Sequence, residues 1–167
     1  CHSCRSGRDG GGRGVPSGAM ERVVFELERF PLVVLRFPPS GPEQAIHEWH
    51  DEVERILAAS EEPVALVHDL RPLELRAVTA AHRAVVAERT RRLRASCFVH
   101  RYAADVRLVS NALVAGAASA VSWLAGGVSW PQLTTTNEPE ALRWAEARIL
   151  DRKAEWAAKA VASNGRR

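Results

Sequence analysis

Two histidines and an aspartate stand at the ends of short apolar segments, where side chains can do chemistry. His68 and Asp69 close the segment 64–70, and His100 closes the segment 96–100. Ligands of open α/β sheets bind beyond the carboxyl ends of the strands. There, a histidine can serve as a base with an orienting carboxylate, or as a metal ligand. The candidate ligand-lining residues are these side chains and their neighbours: His68, Asp69, Arg71, His100, Arg101 and Tyr102.

The spacing of this set also favours a simpler interpretation. His68 and Asp69 are adjacent, and neighbouring residues of a strand point to opposite faces, so at most one of them faces His100. No serine or cysteine nucleophile in a recognisable motif accompanies these histidines and Asp69. The default is that these side chains cap loop amides at strand ends. We therefore expect no catalytic residues and no enzyme.

Other histidines and cysteines have spacings that do not favour a metal site. His47 and His50 are one residue too close for H-E-x-x-H, and helical pairing of His47 with Asp51 and of His50 with Glu54 accounts for them. The pair Cys1-x-x-Cys4 has no second ligand pair after it. We expect neither a metal nor a cofactor.

Charge and hydropathy argue against nucleic-acid and membrane partners. The net charge of +3 comes from the termini, because residues 1–19 and 163–167 sum to +4 and residues 20–162 to −1. The basic segment 89–94 lacks neighbouring aromatic residues for nucleic-acid binding. The uncharged segment 108–137 is diluted by serines, broken at Gly126-Gly127 and lacks a polybasic flank, so we expect a buried helix and not a membrane span.

Hydrophobic periodicity predicts the order ββαβαβαβα, a single mostly parallel α/β sheet with an antiparallel edge hairpin. The segment 64–70 is apolar on both faces and predicts the central strand. The other predicted strands are 22–30, 32–37, 96–100 and 130–135, and the predicted helices are 43–60, 75–94, 105–125 and 137–156. The first helix is acidic outside and the second is basic, and we expect these two to pack side by side.

One globular domain is expected over residues 20–162 of the 167-residue chain, with a disordered extension at 1–19 and a disordered tail at 163–167. Met20 is the only methionine, so we expect it to be the true start. Cys97 is the only cysteine within the globular part, which suits a reducing cytoplasm.

The chain resembles the small SpoIIAA-like proteins of the STAS type in three segments, residues 64–70, 96–124 and 130–149. The resemblance covers about residues 22–150, and the matching motifs are Cys97-Phe98-Val99-His100, Trp123, Trp130-Pro131, Thr136 and Glu140-Ala141-Leu142-Arg143-Trp144. It implies a STAS-like fold and a regulatory or protein-binding role. That family includes anti-sigma-factor antagonists switched by phosphorylation of a serine at the start of the helix after the central strand. Here residues 71–78 contain no serine or threonine, and Thr79 is expected inside the helix.

Two functions from different classes therefore stay open, with an enzyme using His68 or His100 ranked last. The first is a non-enzymatic regulatory or protein-interaction module with a protein partner, and a homodimer is one form of it. Its interface candidates are the small residues Ala112, Gly116 and Ala120, although the domain's own sheet is the usual partner of such a stripe. The alternative is a carrier of a small apolar ligand or lipid, in a pocket under the uncharged helix.

Overall fold

The computed structural model describes residues 22–164, and side chains through residue 162. Within these residues the chain forms one five-stranded sheet in the order β1-β2-β3-β4-β5. The strands are β1 (Val24–Glu26), β2 (Leu32–Arg36), β3 (Val64–Asp69), β4 (Tyr102–Leu108) and β5 (Gln132–Thr135). β1 is antiparallel to β2 and all other neighbours are parallel. The predicted α/β class, element order and edge hairpin are confirmed.

The helices of the described residues cover both faces of this sheet. They are α1 (Glu43–Ala59), α2 (Ala80–Ala95), α3 (Ala112–Leu124) and α4 (Glu138–Asn164). α1, α2 and α3 form a layer on one face, where α2 contacts both of the others. α4 packs alone on the other face, where its Ala141 and Ala145 are fully buried and allow close approach to the sheet.

The alternation of β3 explains this division into two faces. Leu66 and His68 point toward the α1–α3 layer, whereas Val67 and Asp69 point toward the α4 side. Because helices cover both sides, the strand is buried on both faces, as its unbroken apolar run predicted.

The fourth strand is shifted from its predicted position. Residues 96–98 form a turn and Val99–Arg101 a 3₁₀ helix, so the prediction of a strand at 96–100 is wrong. β4 begins at Tyr102 and includes Asp105 and Arg107, which were predicted to start a helix. These charged residues alternate with the buried Ala104, Val106 and Leu108, which is a strand pattern. α3 starts later, where the Asn111 side chain accepts hydrogen bonds from the backbone N–H groups of residues 113 and 114.

The second helix also starts later than predicted. Leu75–Ala77 is a 3₁₀ helix, and α2 begins at Ala80 with Thr79 as its N-cap. The Thr79 hydroxyl accepts from the backbone N–H of His82 at 3.2 Å, and the His82 ring accepts from the Thr79 N–H at 3.4 Å. Thr79 is therefore at the start of the helix after the central strand, and the prediction that it lies inside the helix is wrong.

The charged faces of α1 and α2 meet, as predicted. Arg89 of α2 pairs with Asp51 and, at 3.2 Å, with Glu54 of α1. The Arg89 side chain is only 9% exposed, so these carboxylates compensate a buried charge.

The last helix continues to Asn164, beyond the predicted end at Trp156. The predicted extension 1–19, with the Cys1-x-x-Cys4 pair, and the last residues of the predicted tail lie outside the described residues. No helix in the described range combines the length and apolar character needed to cross a membrane.

Candidate functional site

A cavity of about 200 Å³ lies between the α1–α3 layer and the sheet. Apolar side chains form most of its wall, among them Phe37, Val53, Leu66, Val86, Val114 and Val121. α3 turns Val114, Ala117, Ala118 and Val121 toward the sheet. Because the two alanines are short, α3 leaves space below it that a larger side chain would fill.

Polar side chains from three neighbouring strands meet beside this apolar cavity, which His68, Asp105 and Arg107 line and the exposed Gln132 does not. His68 lies on β3, Asp105 and Arg107 on β4, and Gln132 on β5. The strand register pairs His68 with Arg107 and Asp105 with Gln132, which places all four side chains on one face. We call these four residues the polar cluster.

Asp105 is the centre of the polar cluster. Its Oδ2 accepts hydrogen bonds from Gln132 Nε2 at 2.8 Å and from Arg107 Nη2 at 3.0 Å. Its Oδ1 is 3.6 Å from His68 Nε2, too far for a good hydrogen bond. Within the described part of the chain, neither Asp105 Oδ1 nor His68 Nε2 has a hydrogen-bond partner.

Arg107 connects the sheet to α3 at the side of the cavity. Its Nη1 donates to the carbonyl of Ala118 at 3.1 Å, and its Nη2 donates to Ser122 Oγ at 2.7 Å. The same guanidinium pairs with Asp105, so the buried positive charge is compensated. Arg107 therefore holds α3 above the sheet without adding net charge to the cavity.

Burial and neighbouring charges determine the ionisation of the cluster. Burial opposes ionisation of Asp105, but His68, Arg107 and the hydrogen bond from Gln132 outweigh it and lower the pKa of this carboxyl group. Burial lowers the pKa of His68, although Asp105 acts in the opposite direction. At neutral pH Asp105 is therefore a carboxylate and His68 a neutral imidazole, and the cluster as a whole is uncharged.

Further buried polar atoms lack partners on residues that line the cavity. Among the described residues these are the indole nitrogens of Trp49 and Trp130 and both ring nitrogens of His50. The rings themselves pack well: Phe37 meets Trp49 at 4.9 Å between centroids, and Tyr102 stacks on Trp130 at 4.6 Å. Buried polar groups are nearly always satisfied, so this concentration of unpaired atoms around one cavity calls for an explanation.

The structure separates the residues that the sequence placed together. His68 and Tyr102 line the cavity. His100 and Arg101 precede β4 at its amino end, so the prediction that His100 lies at the carboxyl edge beside His68 is wrong. His100 contacts the carbonyl of Cys97, and Arg101 donates to the carbonyls of residues 57 and 58 at the end of α1.

Asp69 belongs to a separate ionic network on the opposite face of the sheet. It accepts from Arg71 Nε at 2.8 Å and from Arg36 Nη1 at 2.6 Å, and both arginines also reach Glu138 of α4. Burial opposes its ionisation, but Arg71 and Arg36 outweigh it and lower the pKa of Asp69 to about 2. This network connects α4 to the sheet, and Asp69 also accepts a hydrogen bond from the backbone N–H of Arg71 at 3.2 Å.

The sequence interpretation missed Asp105, Arg107, Trp49 and Trp130, which line the cavity, and Gln132 beside it. The alternation in residues 104–108 was the available signal, because it places two charges on one face of a strand. For metals, the described range contains no group of three or more His, Cys, Asp and Glu side chains that could hold an ion.

The predicted interface residues lie on the outer side of α3. Ala112, Gly116 and Ala120 are exposed, and a Cβ added at Gly116 would meet nothing within 4 Å. The stripe therefore does not pack on the domain's own sheet. Leu113, Trp123 and Leu124 are also exposed on α3, at 75%, 87% and 55%.

Comparisons with known proteins concern the fold. No protein-family model matches the sequence, and no curated protein matches it. A solved structure is similar over 74% of this chain and 91% of its own, with 13% identity and a TM-score of 0.47. It is described as an uncharacterized protein of the DUF3478 family from Shewanella loihica PV-4, with a SpoIIAA-like fold.

Proposed function

We propose that this protein is a non-enzymatic binding module that holds a small, mostly apolar molecule in the cavity under α3. The observation that carries the proposal is the cavity itself, about 200 Å³ in volume and apolar over most of its wall, with unpaired polar atoms buried in several of the side chains that line it. An apolar cavity of about 150 Å³ is large enough to bind benzene. This cavity therefore suits a ligand somewhat larger than benzene, and the unpaired atoms suit a ligand with a polar end.

Butylbenzene, an uncharged apolar molecule of suitable size, provides the test by titration calorimetry. We expect saturable binding at one site per chain. Ala117→Phe, on the inner side of α3, should weaken binding at least about tenfold because the new ring occupies the cavity. Ala120→Phe is the matched control, since it makes the same change on the exposed side of the same helix.

Failure of the wild-type protein to bind butylbenzene would contradict the proposal. Equal loss of binding in the two variants would also contradict it, because the ligand would then not lie on the inner side of α3.

The exposed face of α3 favours a second candidate function, a regulatory module that binds a protein partner. Leu113 near the start of α3, and Trp123 and Leu124 at its end, expose large apolar side chains. Arg91 and Arg94 stand beside that end of α3, because they donate to the carbonyls of residues 124, 126 and 127. Exposed apolar side chains beside two arginines suit a partner protein whose apolar surface has neighbouring acidic residues. The cytoplasm, expected from the cysteine content, is the proposed setting for either function.

A paired substitution tests the second candidate. Leu113→Ser should remove a stoichiometric partner from affinity captures that the wild-type protein retains. Val161→Ser on α4 is the matched control, since Val161 is 74% exposed and Leu113 is 75% exposed. A partner retained by Leu113→Ser would contradict this candidate. A homodimer in sedimentation that Leu113→Ser dissociates would contradict the acidic partner, since a second copy would then cover the face.

A further inference from the structure

The unpaired atoms of the polar cluster have a defined geometry. Asp105 Oδ1 can only accept a hydrogen bond, and His68 Nε2 lies 3.6 Å away. The two side chains are only 7% and 13% exposed, and neither atom has a partner within residues 22–162. At the 3.6 Å separation of the two atoms, one bridging atom is within hydrogen-bond distance of both.

The chemistry of this position selects the group that fits. Oδ1 needs a donor, and His68 Nε2, when it carries the imidazole proton, needs an acceptor. A hydroxyl group both donates and accepts, whereas a carbonyl oxygen or a carboxylate only accepts. A hydrocarbon satisfies neither atom.

Charge selects against an anion at the same position. The Asp105 carboxylate is ionised, and Arg107 is already engaged by Asp105, the Ala118 carbonyl and Ser122. A carboxylate ligand would therefore bring a second negative charge beside Asp105 in an apolar cavity, which is unfavourable.

Resting on the proposed function, we infer that the cavity selects an uncharged alcohol, whose hydroxyl bridges His68 Nε2 and Asp105 Oδ1 while its apolar body lies under α3. His68 is then a specificity-determining residue. The His68 ring stacks on Phe37 with centroids 5.9 Å apart and contacts Trp49 edge-on with centroids 5.5 Å apart. These two contacts fix the orientation of the imidazole and therefore the direction in which Nε2 meets the ligand.

Three probes with one skeleton test this inference: butylbenzene, phenylbutanol with a terminal hydroxyl, and phenylbutanoate. His68→Phe removes the imidazole nitrogen and keeps a ring at the site. We expect this substitution to weaken phenylbutanol about tenfold, because one hydrogen bond to the ligand is lost and Asp105 keeps the other. It should change butylbenzene affinity by less than about twofold, which also shows that the variant is folded. Phenylbutanoate should bind the wild-type protein at least about tenfold more weakly than phenylbutanol.

His100→Phe is the matched control, since it replaces a histidine outside the cavity and should alter neither affinity. Equal effects of His68→Phe on phenylbutanol and butylbenzene would overturn the inference, because the two atoms would then be satisfied without the ligand hydroxyl. Binding of phenylbutanoate as tight as that of phenylbutanol would overturn it as well. Absence of butylbenzene binding to the wild-type protein would instead overturn the proposed function on which the inference rests.

Discussion

Lowering the pH from about 7 to about 5 should destabilise this protein, chiefly through His50. His50 is 4% exposed, its ring lies 4.2 Å from that of Trp49, and neither ring nitrogen has a partner among the described residues. Burial, with the charge of Arg89 and the nearby His68 and His47, lowers the pKa of His50 from 6.5 to about 3. The folded protein therefore keeps this ring neutral where the unfolded chain protonates it.

The sign and size of the effect follow from this difference. Because the unfolded state binds more protons between the two pKa values, stability falls as the pH falls. About pH 5 is roughly 1.5 units below the unfolded pKa, and each unit is worth about 1.36 kcal/mol, so His50 alone accounts for about 2 kcal/mol. Burial of His68 acts in the same direction. Asp69 does not contribute in this window, since its pKa of about 2 keeps the carboxylate ionised.

Urea unfolding followed by circular dichroism at the two pH values measures this loss. His50→Leu should reduce the loss by about 2 kcal/mol. His47→Leu, on the same helix, keeps His50 and should keep the wild-type loss. A wild-type protein equally stable at both pH values would refute the reasoning, and so would a His50→Leu variant with the wild-type pH dependence.

Three further substitutions probe other parts of the structure, each by the free energy of unfolding in urea. Asp69→Asn should cost about 2–3 kcal/mol because it removes the more buried of the two carboxylates that Arg36 and Arg71 share. Asp151→Asn at an exposed pair is the control, and equal costs would contradict the network. Thr79→Ala should cost about 1 kcal/mol by removing the N-cap of α2, and no change would show that this cap does not stabilise the helix. Leu66→Ala should cost about 2–5 kcal/mol, since Leu66 is 1% exposed and lies where the sheet lines the cavity. A cost below about 1 kcal/mol would show that this side of the cavity is loosely packed.

The parts of the fold that were predictable are those with a single dominant pattern. The segment 64–70 begins with four consecutive apolar residues and then has His68 and Asp69, and its residues 64–69 form the central strand β3. The opposite charges of α1 and α2 predicted their contact, which Arg89 makes with Asp51 and Glu54.

The site was less predictable because its signals conflict locally. Phe98 and Val99 look like a strand, but the chain turns there, and the strand comes later with Asp105 and Arg107 in it. Charged residues inside a parallel strand are unfavourable unless their charges are compensated. Asp105 and Arg107 pair with each other, and folding adds hydrogen bonds from Gln132 to Asp105 and from Arg107 to Ser122. The cavity depends on the packing distance of α3, which no pattern along the chain encodes.

A crystal structure of the protein with phenylbutanol is the most direct test of the central claim, that the cavity under α3 is a ligand site. We expect the ligand between α3 and the sheet, with its oxygen about 2.6–3.2 Å from both His68 Nε2 and Asp105 Oδ1. A ligand bound elsewhere, or α3 packed down on the sheet with no space below it, would contradict the claim.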